Sequence, residues 1–147
     1  MMFGIMCSIA SYEKELIRER MMSGRITKVQ NGIRGYGSKL PFGYIKNTDG
    51  EIVLDEENSK VVKYIFGKMN SLIKNPKLTK SKRTRRLLKL LHNRHFTYNG
   101  KPFTRWNVRD ILNNTFYFGE LKYGEIKTNH IYQPIVSKRL FNQICFG

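Results

Sequence analysis

Acidic side chains are scarce in this chain: 11 Asp and Glu stand against 27 Lys and Arg in 147 residues, a formal charge of +16. The corresponding pI is near 10.1. Such an excess goes well beyond what solubility requires and implies a polyanionic partner. Cysteine is nearly missing. Cys7 and Cys145 sit at opposite ends, with no CxxC pair and no Cys/His cluster, so free thiols are expected and a metal site is not. His92 and His95, three apart, lack the further ligands a metal would need. Long apolar runs are also absent. The opening MMFGIMCSIA is short, carries no basic leader and passes directly into SYEKELIRER, which argues against a signal peptide or a membrane span. No basic amphipathic anchor with a long apolar face is visible either. A cytoplasmic protein is expected, nucleoid-associated if bacterial or phage-derived. No carboxylate pair, phosphate-binding loop or serine triad stands out, so no catalytic residue is assigned, no cofactor is expected, and an autonomous enzyme is the weakest reading.

The charge that is present is unevenly placed. Residues 1–24 sum to zero and 51–73 to −1, whereas 25–50 carry +4 and 74–95 carry +9. That distribution suits a first segment that meets protein and a remainder that meets phosphate. Residues 2–24 have helical spacing, with Ile5, Ile9, Tyr12 and Leu16 on one stripe; so narrow a stripe calls for a partner, either another chain or the domain itself. From 25 to 40 the pattern dissolves among Gly32, Gly35 and Gly37. This stretch is either a solvated linker or an arm that tracks a duplex, with Arg25, Lys28, Arg34 and Lys39 near phosphates or in the minor groove.

Next, PFGYIKNTDGEIVLD predicts a hairpin of strands near 42–46 and 51–54 that turns at Asn47–Gly50. Asp55 is placed to cap a helix that buries Val61, Val62, Ile65, Phe66 and Met69 and ends by about Lys74. In the basic run, Thr79 or Ser81 can start a helix with Leu87, Leu88, Leu90 and Leu91 inward. Lys82, Arg83, Arg85, Arg86 and Lys89 are left mostly outside, where their mutual repulsion is relieved by phosphate. Asn99-Gly100 signals a hairpin turn that delivers the chain to Thr104, a helix cap. The helix that follows takes Trp106, Val108, Ile111 and Leu112 as its apolar face. Arg105, Asn107 and Arg109 are its candidate base readers, because Arg and Asn present forked donors and acceptors that match base edges. Strands 117–122 and 125–132 around Tyr123-Gly124 predict a wing carrying Lys122, Lys127 and His130. Ser137 would cap a last helix, leaving Phe141, Ile144 and Phe146 partly exposed.

Taken in order, these motifs resemble the DNA-binding recombinase domain of large serine recombinases. SIASYEKELIRER followed by Gly24 is similar to the end of the long helix that leaves their catalytic domain. PFGY at 41–44, EIVLDEENSKVVKYIF, WNVRDILNNTFYFG and QPIVSKRLFNQI match successive blocks of the domain. In that resemblance Trp106, Ile111, Leu112, Tyr117 and Gly119 are scaffold. Residues 74–96 depart from it, being longer and more basic. The family's nucleophilic serine lies in an N-terminal domain, and neither Ser8 nor Ser11 takes that role; the zinc ribbon that usually follows has no counterpart. The resemblance implies an α+β, mainly helical fold. It would have a long linking helix (1–24), a basic Gly-rich arm (25–40) and a compact helix-turn-helix-like domain with small β-hairpins (41–147). It implies sequence-specific binding of double-stranded DNA, an attachment-site half-site, in support of strand exchange carried out by a catalytic domain. The first helix would serve self-association or contact that catalytic domain. The alternative is a basic RNA-binding or ribosome-associated protein, with Tyr36, Phe42, Tyr44, Phe116, Tyr117 and Phe118 as stacking platforms.

Overall fold

In a computed structural model, the backbone is described for residues 2–35, 37 and 39–146, and side chains for 10–35, 37 and 39–144. Ile5, Cys7, Ser8, Ile9, Tyr36, Cys145 and Phe146, all named above, lie outside the described side chains. The core is built on α2 (Glu56–Ile73), which starts where Asp55 accepts hydrogen bonds from the backbone N–H of Glu57 and Asn58 at 3.1 and 3.2 Å. Glu56 and Glu57 in its first turn complement the positive end of the helix dipole. Its buried stripe is the expected one: Val61, Val62, Ile65, Phe66 and Met69. Full burial of such side chains stabilises the fold by about 1.5–3 kcal/mol each. Lys74 ends the helix, two residues before Pro76.

The described residues also form three antiparallel two-stranded hairpins. The first pairs β1 (Tyr44–Lys46) with β2 (Ile52–Leu54). Its turn is held by the Asn47 side-chain oxygen, which accepts from the N–H of Asp49 and Glu51. Strand β1 starts two residues later than predicted because Gly43 has φ +101°, a conformation that suits glycine. A Cβ there would also approach Ile135 Cδ1 to 3.1 Å and Val62 Cγ2 to 3.2 Å. The second hairpin, β3 (Thr97–Tyr98) with β4 (Lys101–Pro102), turns on Asn99 and Gly100, both at positive φ, the pattern of a tight two-residue hairpin loop. The third pairs β5 (Glu120–Tyr123) with β6 (Ile126–Asn129). Its first strand is shorter than predicted: Thr115–Phe118 forms a 3-10 turn instead, because Asn114 caps it by accepting from the N–H of Phe116.

That 3-10 turn locks the core. The Tyr117 hydroxyl donates to the Phe42 carbonyl at 2.7 Å, and the Tyr117 carbonyl accepts from the N–H of Ile135 and Val136. Tyr44 reaches the Gln133 carbonyl at 2.6 Å. Burial pushes both phenols well above the ordinary tyrosine range, so they act as neutral donors. The last helix, α5 (Lys138–Phe146), is capped by Ser137 as expected. It packs against α2, and Phe141 is buried against Phe66 and Phe118 rather than partly exposed, since α2 and the 3-10 turn together supply its packing partner. Ile144 is half-buried.

The long first helix, α1, runs Met2–Gln30, six residues beyond the predicted end at 24. Gly24 is accommodated inside it, and the extra turns persist because their end is tied to the third hairpin. Val29 is fully buried, its carbonyl accepts from the Thr128 hydroxyl at 2.7 Å, and Ile131 N–H donates to Gly32 O at 3.1 Å. Further toward its start the helix leaves the domain. Tyr12, Ile17 and Met21 are exposed, and Leu16 is half-buried. Among the described residues, no helix is long and apolar enough to cross a membrane.

Candidate nucleic-acid interface

Two helices bring four of the predicted cations together, Arg83, Arg85, Arg105 and Arg109. Helix α3 (Lys80–Asn93) begins at Thr79, whose hydroxyl accepts from Lys82 N–H, and turns Leu87 and Leu91 fully into the core with Leu88 and Leu90 half-buried. Helix α4 (Arg105–Asn113) follows the second hairpin and buries Val108 and Ile111. A groove opens between the start of α3 and the length of α4, floored by Met69, Leu88, Leu112 and Ile144 and bordered by Lys80, Arg83, Arg85, Arg105 and Arg109. Five cations on one concavity, with no carboxylate in its lining, make a strongly positive surface of the kind that concentrates field on a polyanion. Lys80 was not singled out in the sequence, although it belongs to the same basic run. Arg83 is half-buried, and its Nε has no hydrogen-bond partner.

The helical period separates the other cations of α3. Lys82, Arg86 and Lys89 are exposed but do not line the groove; Arg86, two residues before the groove-lining Leu88, stands about 200° around the helix from it. Density of charge along the chain therefore overstated how many of these residues share one surface.

Helix α4 departs from expectation at two positions. Trp106, expected on the apolar face, is 56% exposed. It lies two residues before Val108, about 200° around the helix, and so faces opposite the core. The guanidinium of Arg105 lies over its ring at 5.0 Å from the centroid and that of Arg109 at 5.8 Å. The core position at this end is filled by Phe103, buried against Phe42 and Tyr98. Asn107, expected to read bases, completes a capping box: its side-chain oxygen accepts from the Thr104 N–H and hydroxyl, both at 2.9 Å, while Thr104 Oγ1 accepts from Asn107 N–H. With its acceptor held in the cap, Asn107 lacks the free amide pair that recognition of adenine requires.

The arm residues divide differently. Arg25 and Lys28 are exposed on the last turns of α1 rather than on an irregular arm. Arg34 is half-buried, its Nη2 donates to the Lys39 carbonyl, and its N–H donates to the Tyr132 hydroxyl at 3.0 Å, so it helps close the connection back onto the domain. Lys39 itself is exposed. Lys122 and Lys127 are exposed and directly opposite each other on the third hairpin, which braces α1 rather than bordering the groove; Lys122 Nζ lies 3.8 Å from Glu120. His130 is no part of a basic wing. It is 9% exposed and lies against the Phe116 ring, centroids 4.1 Å apart and planes tilted by 33°, with Nε2 2.6 Å from Phe116 O and Nδ1 accepting from Tyr132 N–H. Burial lowers its pKa, keeping it neutral. Of the aromatic residues offered as stacking platforms, the described ones are also internal: Phe42, Tyr44, Phe116 and Tyr117 are buried, and Phe118 packs on Phe141.

The fold and the groove together define a mainly helical α+β domain with a cationic face between two helices. Residues 56–145 match the Recombinase family model, and the chain belongs to the Recombinase family, in agreement with the motif resemblance. No curated protein matches the chain. Its fold is similar to that of a solved structure described as "Crystal Structure of a LSR-DNA Complex", with a TM-score of 0.69 and 22% identity over 86% of this chain and 38% of that one. It is also similar to one described as "Sequence Requirements of the Listeria innocua prophage attP site", with a TM-score of 0.65 and 23% identity over 86% of this chain and 50% of that one. The chain thus spans half or less of either structure's chain.

Proposed function

We propose that this chain binds double-stranded DNA sequence-specifically, as the recognition domain of a site-specific serine recombinase whose strand-exchange chemistry belongs to a separate catalytic domain. The observation that carries this reading is the groove, where Lys80, Arg83 and Arg85 of α3 face Arg105 and Arg109 of α4 across an apolar floor. Membership of the Recombinase family and fold similarity to a structure described as an LSR-DNA complex support it. In this reading the cations of α3 hold phosphates and those of α4 reach base edges, the division of labour common to helix-based DNA readers. The RNA-binding alternative loses its main support, because the described aromatics it relied on are packed in the core.

The test is a selection from a randomised duplex pool, followed by titration of the enriched duplex, a scrambled duplex and a structured RNA at two salt concentrations. A preference for the enriched duplex that persists at higher salt is expected. Equal or tighter binding of the RNA would sink the proposal. Within the helix, Arg105→Ala or Arg109→Ala is expected to relax the selected sequence preference, by about 1–3 kcal/mol of discrimination where the side chain contacts a base bidentately.

A further inference from the structure

Trp106 is the one large apolar side chain that α4 turns outward, and its surroundings say what would cover it. It lies in the first turn of the helix, on the rim of the cationic groove, with Arg105 and Arg109 both within 6 Å of the ring centroid. A cationic surface of this density attracts a polyanion, so a duplex is the occupant that charge complementarity selects. The first turn of a helix lying in a major groove is also the part closest to base edges. There the thymine C5-methyl is the apolar feature that an indole can bury. The two guanidiniums lie over the ring in cation–π contact and keep donors close to it, so the three side chains form one contact unit.

We propose that Trp106 is a specificity-determining residue that packs against a thymine methyl in the major groove, with Arg105 and Arg109 contacting groups beside it. This rests on the duplex-binding reading above. It adds a direct base contact at a position where the sequence pattern predicts scaffold, and it takes the place of Asn107, whose acceptor is held in the helix cap.

Trp106 is the only tryptophan of the chain, so its emission reports this position alone. Binding is followed by the anisotropy of a labelled duplex enriched from a random pool, and in the same samples by acrylamide quenching of tryptophan emission. Expected is protection of Trp106 on binding, together with at least one thymine whose replacement by uracil, which deletes only the methyl, weakens binding by about fourfold. In Trp106→Ala that thymine-to-uracil effect should vanish, and in Trp106→Phe it should be partly retained. Circular dichroism of both variants should match the parent chain, because the side chain is outside the core. Duplex binding that leaves Trp106 as quenchable as in the free protein overturns the proposal while leaving the duplex-binding reading intact. So does protection without any thymine-to-uracil effect, or an effect that persists in Trp106→Ala. Absence of any duplex binding by anisotropy overturns both readings, and it does so without reference to Trp106.

Discussion

His130 shows how a residue type misleads when its burial is unknown. A histidine near the end of a strand that also carries Lys127 suggests a cation, yet the imidazole is enclosed by Phe116 and Tyr132, and its two nitrogens meet one carbonyl and one N–H. That arrangement fits the neutral tautomer only, since a second ring proton would confront the Tyr132 N–H. Its folded-state pKa is therefore depressed below 6.5, first by burial, against which the hydrogen bond to Phe116 works in the opposite direction. Between the folded and unfolded values the unfolded chain binds the extra proton. The stabilisation is complete above about pH 6.5 and is lost as pH falls toward the folded value. Thermal unfolding should thus occur at lower temperature at pH 5.5 than at pH 7.5, and His130→Asn should flatten that difference. An unchanged pH dependence in the variant would assign the effect to other groups. Trp106 is the converse case. Its exposure is legible from its offset of two residues from Val108, which takes it off the apolar face that the sequence pattern assigns to it.

Helices and turns with local signals were the most legible elements. Asp55, Thr79, Thr104 and Ser137 all cap the helices predicted after them, and Asn47–Gly50 and Asn99–Gly100 turn the hairpins predicted around them, because each device acts within a few residues. What could not be read locally was decided by distant contacts. Helix α1 continues past Gly24 because Thr128, some hundred residues away, anchors its end. Two element-scale outcomes follow. Thr104→Ala removes one half of the α4 capping box and should destabilise the domain by about 1 kcal/mol in denaturant unfolding, whereas Thr104→Ser should retain most of it. Asn107→Ala should act the same way and leave the base preference of the chain unaltered; a changed preference would restore Asn107 as a reader. In α1, Gly24 has no neighbouring atom within 4 Å of where a Cβ would stand. Gly24→Ala is therefore expected to strengthen the helix by about 0.5–1 kcal/mol, seen as a higher helical signal on heating. A loss of stability would mean that Gly24 serves a bend in the helix.

For the molecule as a whole, the question is which of 27 cations act together, and a count along the chain cannot answer it. Within α3 the charge of residues 74–95 is divided: Arg83 and Arg85 border the groove with Arg105 and Arg109, while Lys82 and Arg86 are exposed outside its lining. Lys122 and Lys127 stand on the hairpin that braces α1. If the groove faces the duplex, only its cations displace counterions on binding. Each phosphate they neutralise contributes about 0.9 to the slope of log K against log salt. Arg85→Ala should therefore weaken binding to every duplex about equally and reduce the slope by about one. The double variant Lys82→Ala/Arg86→Ala removes twice the charge yet should leave the slope close to that of the parent chain, with only a modest loss of affinity through the long-range field, diminishing as salt rises. Titrations of one duplex at four or five salt concentrations distinguish these outcomes. A larger slope change for the double variant than for Arg85→Ala would place the duplex on the far side of α3, and the groove would then have to be assigned to some other ligand.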